Sequence, residues 1–67
     1  MAFAQKYFEK VIQLNEKYAD AHSALGTVHF HLKHPEAAFL SFNRALALNP
    51  DLKQAKKGLA TLKATTN

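Results

Sequence analysis

With 67 residues, no cysteine and 48% apolar residues, the chain is suited to one packed domain, and a unit this small buries only about 60% of the surface its unfolded form exposes. Neither a disulfide framework nor a thiolate metal site can supplement that core, no apolar run nears the roughly 18 residues of a membrane span, and the start lacks the basic segment, apolar core and cleavage site of an export signal, so the cytoplasm is the default compartment. The formal charge of +4 is unevenly placed: from Asp51 onward four lysines face one aspartate, giving +3, and the first fifty residues give +1.

Over residues 3–15, Phe8, Val11, Ile12 and Leu14, with Ala4 one turn earlier, keep the three-and-four spacing of an amphipathic helix. The stretch 14–20 that follows contains neither proline nor glycine. Packing ordinarily overrides weak propensity, which favours a turn at 15–18. The alternative is fusion of the first two helices, since the roughly 3 kcal/mol barrier of an interior proline is missing. A fused helix would let the first segment pack on another copy as a swapped dimer.

A second helix is expected over 19–33, where Ala21, Leu25, Val28 and Leu32 form one stripe. Pro35 suits a first helical turn, needing no partner for a missing amide, and Glu36 complements the positive end of the helix dipole. The third helix therefore runs over 35–48 and stops at Asn49-Pro50-Asp51, because proline constrains the residue before it and its neighbours favour turns. A fourth helix over 52–64 places Leu52, Ala55, Leu59 and Leu62 on one side and Lys53, Lys56, Lys57 and Lys63 elsewhere. Thr65, Thr66 and Asn67 are expected to fray. The fold class is all-α.

Shifting the chain by 34 residues sets Ala38 on Ala4, Phe42 on Phe8, Ala45 on Val11, Leu46 on Ile12, Leu48 on Leu14 and Asn49 on Asn15. The same shift sets Leu59 on Leu25 and Ala60 on Gly26. Within this frame the spacing His22-x-x-Leu25-Gly26-x-x-His29, then Ala38-x-x-x-Phe42, Ala45 and Pro50, resembles the tetratricopeptide repeat. That resemblance implies antiparallel helix hairpins stacked into a superhelix: a half repeat over 3–18, a full repeat over 19–52, and a half repeat or capping helix over 53–64. An opening half-way through a repeat is what a piece of a longer array would show. Small residues at Gly26, Ala38 and Ala45 would let the helices approach closely, with Gly26 meeting Ala38. The chain departs from the family pattern at His22 and His29, where tryptophan and tyrosine are usual. It departs again at Lys33, where the intra-repeat turn usually has glycine, and at Glu16, which stands at the proline position.

Members of this family hold partner peptides in a concave groove lined by helices such as the second and fourth. By resemblance, Asp20, Ser23, Thr27, Phe30 and His31 occupy groove positions of the full repeat, and Gln54, Lys57 and Thr61 the matching places on the fourth helix. Phe30 is the expected anchor, as a groove-facing aromatic offers large area at low rotamer cost. A clamp for a terminal carboxylate is not expected, because its positions hold Ser23, Ala24, Thr27, Gln54 and Gly58, with Lys57 the one cation. The primary reading is a protein-interaction scaffold for a protein or peptide partner. The alternative is self-association through Phe3, Tyr7 and Phe8, the apolar surface that a preceding helix would cover.

The lysines of the fourth helix form a basic face without interleaved aromatics; this is the pattern of a solvated end more than of a nucleic-acid or polyanion site. The four histidines do not converge as zinc would require, so neither metal nor cofactor is expected. No Gly-rich phosphate loop, cysteine nucleophile or paired acidic motif points to catalysis or to a small-molecule substrate.

Overall fold

A computed structural model describes residues 2–65, with the side chains of Ala2, Ala4 and Thr65 left aside; Thr66 and Asn67 lie outside the described residues. Four helices follow one another: α1 (Ala2–Leu14), α2 (Ala19–His31), α3 (Pro35–Leu48) and α4 (Lys53–Thr65). No strand occurs among the described residues. The short connections between successive helices make neighbours antiparallel. Among the described residues α2 touches all three other helices, α3 lies against α2 and α4, and α1 packs on α2 alone.

The turn between α1 and α2 forms despite having no proline or glycine, so the two helices are separate and the fused alternative is not the one adopted. Its geometry comes from Asn15. The Asn15 Oδ1 accepts a bond from the Lys17 amide at 3.2 Å, and the Asn15 carbonyl accepts one from the Tyr18 amide at 3.1 Å. Thirty-four residues on, the Asn49 Oδ1 accepts from the Asp51 amide at 3.2 Å and the Asn49 carbonyl from Leu52 at 3.1 Å. An asparagine side chain that closes its own turn substitutes for the proline that only the second copy has. His22 adds a second tie. Its Nε2 lies 2.9 Å from the Glu16 carbonyl oxygen, and since a carbonyl can only accept, Nε2 carries the proton. The histidine at the position usually held by tryptophan thus pins the preceding turn.

The α2–α3 turn is a Schellman motif: the His34 amide donates to the His29 carbonyl at 2.8 Å and the Lys33 amide to the Phe30 carbonyl at 3.1 Å. It requires a left-handed residue, and Lys33 supplies it at φ 62°. This turn ends α2 at His31, two residues before the apolar spacing alone suggests. The His29 and His34 rings, with centroids 6.2 Å apart, make the side-chain contact that accompanies the motif.

The core is a cluster of Ala38, Phe42, Ala45, Ala55 and Leu62, against which Phe30, Leu46, Leu52 and Leu59 pack. Phe42 is its centre. A Cβ placed on Gly26 would come within 2.9 Å of the Phe42 ring, and one on Gly58 within 2.4 Å. Gly26 therefore makes its closest contact with Phe42 and not with Ala38, which is itself fully enclosed. One aromatic ring lies between two glycines of different helices, locking α4 onto the α2–α3 hairpin. Among the described residues no helix is long and apolar enough to cross a membrane.

Candidate functional site

Where α2 and α4 run side by side, their exposed edges leave a cleft of about 230 Å³. Thr27, Phe30 and His31 form one wall, and Gln54, Lys57 and Thr61 the other. Between them Phe42 and Gly58 complete the floor. Six of the eight residues expected in a groove thus converge on a single depression. Asp20 lies in a neighbouring cleft of about 350 Å³ with Tyr7, Phe8, Tyr18 and Ala24; Gln54 borders both. The two depressions therefore share an edge along the α2–α4 side of the molecule.

Ser23 requires correction as a groove contact. It is fully buried and its Oγ has no hydrogen-bond partner, so it is closed to a ligand. Spacing sets it one turn from Thr27 on the same face, but α2 is covered by three other helices and its N-terminal half lies beneath them. The matching residue on α4, Lys57, is exposed, because α4 has neighbours only on the α2 and α3 sides.

The walls are built alike. The Thr27 Oγ1 donates to the Ser23 carbonyl at 3.3 Å, and the Thr61 Oγ1 donates to the Lys57 carbonyl at 3.0 Å, bonds related by the 34-residue shift. Both hydroxyl protons are spent on their own helix. Phe30 is half-buried, packed on the core beneath and edge-on to His31, with ring centroids 5.7 Å apart and planes at 71°. It both supports the core and lines the cleft. Lys57 is the one residue of this lining with a fixed charge. The cleft is accordingly an apolar slot between polar shoulders, with a single positive charge on one rim.

Phe42 is the lining residue that sequence reasoning missed; Gly58 stood among the clamp positions, but its contact with the Phe42 ring was not foreseen. The 34-residue shift pairs Gly26 with Ala60, which directs attention to Ala60 as the small position of α4; yet Ala60 is exposed and Gly58 meets the ring. The signal for Gly58 was the rarity of glycine itself, as the chain has just two.

Of the residues tied to self-association, Phe3 is 93% and Tyr7 65% exposed. Phe8 is half-buried and meets Tyr7 edge-on at 5.3 Å. Lys53, Lys56, Lys57 and Lys63 are all exposed on α4. His31 and His34 are exposed whereas His22 is held against Glu16, and among the described residues no group of three or more His, Asp or Glu gathers.

Residues 19–52 match the tetratricopeptide repeat family, a span that takes in α2, its turn and α3. The chain is also similar to a UDP-N-acetylglucosamine–peptide N-acetylglucosaminyltransferase of Giardia intestinalis, at 33% identity over 52 residues. That alignment covers 78% of this chain and 4% of the relative's length. No solved structure matches the chain significantly.

Proposed function

Because the chain belongs to the tetratricopeptide repeat family, we propose that it is a protein-interaction module whose α2–α4 cleft takes an extended or helical segment of a protein partner. The observation that carries this reading is the convergence of Thr27, Phe30, His31, Gln54, Lys57 and Thr61 on one depression. The chemistry of the lining defines the occupant. An apolar side chain suits the slot between Phe30 and the Phe42–Gly58 floor, where burial supplies most of the affinity. An acidic group next to it suits Lys57, whose rim position adds orientation and encounter rate more than affinity. The module acts by binding, with no reaction of its own. The transferase named above shares only this kind of segment, so its catalysis is not carried over.

Selection of peptides from a random display library, followed by amide chemical-shift mapping, tests the reading. Selected peptides are expected to perturb Thr27, Phe30, Gln54 and Lys57. Phe30→Ala should weaken binding at least about tenfold, the equivalent of 1.4 kcal/mol, and Lys57→Glu should reverse the charge preference. Shifts clustered away from the cleft, or an unchanged Kd in Phe30→Ala, would refute it.

A further inference from the structure

A third depression, about 530 Å³ and larger than either of the two clefts along α2 and α4, opens between the N-terminal half of α3 and the C-terminal half of α4, lined by Pro35, Glu36, Phe39, Leu40, Leu62 and Lys63. Phe39 is 49% and Leu40 68% exposed there. At the equivalent places α1 carries Gln5 and Lys6, so the repeat itself does not require apolar residues at these positions.

The internal repeat indicates what belongs in this space. α1 copies α3 and α4 copies α2, so the packing order reads as two helix types in alternation, with α3 satisfied on both sides and the outer sides of α1 and α4 open. Ala37 and Ser41 of α3 are half-buried, whereas their counterparts on α1, Phe3 and Tyr7, are 93% and 65% exposed. Conversely, His22 and Gly26 of α2 are buried, whereas Lys56 and Ala60 of α4 are exposed. A helix that continued the alternation beside α4 would be of the α3 type, and α1 of another molecule is such a helix, already followed by its own α2.

We propose that copies of this chain associate head to tail, the Phe3 and Tyr7 stripe of α1 in one copy docking between α3 and α4 of the next, against Phe39, Leu40 and Leu62. At α4 the junction continues the alternation found inside the molecule; its contact with Phe39 and Leu40 is an addition, since among the described residues α1 and α3 do not pack on each other. The junction is looser than the interior: Gly26 approaches the Phe42 ring inside the molecule, but the junction offers Ala60 to Phe8, and the added methyl holds the helices apart. The receiving depression carries both Glu36 and Lys63, so the incoming Lys6 and Lys10 meet both signs and the contact is apolar in origin.

A head-to-tail interface leaves an unused end at each side of a dimer, and the stacking of hairpins into a superhelix continues it as an open chain and not as a ring. Sedimentation velocity over a hundredfold concentration range should therefore show a mean mass that passes two copies and keeps rising. Phe3→Asp and Leu40→Asp each alter an exposed side chain at one end only, and circular dichroism verifies that both remain helical. Each alone should be monomeric, with association weakened at least about tenfold, and an equimolar mixture should form a complex of two copies, since each retains the end the other lacks. A mass that stays at one copy overturns the proposal. So does a plateau at two copies in the unaltered chain, the mark of a symmetric or swapped dimer, and so does a mixture that remains monomeric.

Discussion

Replacing Lys33 by glycine should stabilise the protein. Lys33 is the one non-glycine residue with positive φ among the described residues, at 62°. Holding an L-residue with a Cβ in that left-handed region costs roughly 1 to 2 kcal/mol. Glycine removes this strain but loses more backbone freedom on folding, returning about 0.4 to 1 kcal/mol. The lysine's favourable position beyond the C-terminus of α2 is worth a further few tenths. The net gain is about 0.5 kcal/mol, or a rise in Tm of roughly 2 to 4 °C for a domain of this size.

Thermal and urea melts followed at 222 nm measure it, with Lys33→Ala as the control. Alanine keeps the Cβ and loses the charge, so it should melt within about 0.5 kcal/mol of the original, at or below it. The Schellman amides, from Lys33 to Phe30 and from His34 to His29, are backbone groups and survive both changes. A glycine variant that melts no higher than the original would refute the strain account. An equal gain in alanine would place the effect in the charge.

Gly58→Ala should cost about 1 kcal/mol or more net and Gly26→Ala less, because the added Cβ would stand 2.4 Å from the Phe42 ring in the first and 2.9 Å in the second; overpacking of about 1 to 3 kcal/mol outweighs the gain in helix propensity of about 1. Equal urea midpoints in the two variants would contradict this. Asn15→Ala should loosen α1 more than Asn49→Ala loosens α4, since Pro50 still fixes a backbone angle in the second turn whereas the first keeps only the side-chain bond from His22 to the Glu16 carbonyl; faster amide exchange confined to α1 is the expected signature. His22→Phe should cost about 0.5 to 1.5 kcal/mol through loss of its bond to the Glu16 carbonyl, and a urea midpoint equal to the original would show that the ring only fills space.

The helices were legible in the sequence because each rests on a periodic apolar stripe and because Pro35 and Asn49-Pro50 mark boundaries that any chain must respect. The turn at 15–18 was ambiguous for a reason that the bonding explains. A search for proline and glycine looks for residues that restrict the backbone, whereas Asn15 acts by accepting from the backbone two residues on, an option open to many asparagines that never use it. That six residues would line one cleft was legible because the repeat register assigns faces. Register cannot say which part of a face a neighbouring helix will cover, and so Ser23 was placed in the groove when it is sealed. The role of Gly58 was hidden for a related cause: it is fixed by a ring on α3 reaching across to α4, a contact among three helices that no pairwise shift of the sequence contains.

Phe42 joins the two halves of this picture. It is 2% exposed and its ring is gripped by Gly26 and Gly58, so it determines whether α4 stays on the hairpin; its buried edge also borders the cleft. Whatever truncates Phe42 removes core packing and cleft floor together, at about 3 to 5 kcal/mol for a buried aromatic, and the resulting loss of binding would carry no information about recognition. Phe30 is separable in a way Phe42 is not. It is half-buried, at the border of the core cluster and on the wall of the slot, and its truncation leaves the glycine–ring–glycine contact in place. An occupant that presses on Phe30 presses against a wall whose far side is α4, so binding in the slot favours the closed arrangement of α2, α3 and α4 over any state in which α4 has come away. Occupancy of the proposed docking cleft and the stability of the last helix are therefore coupled, with Gly58 as the residue that joins them.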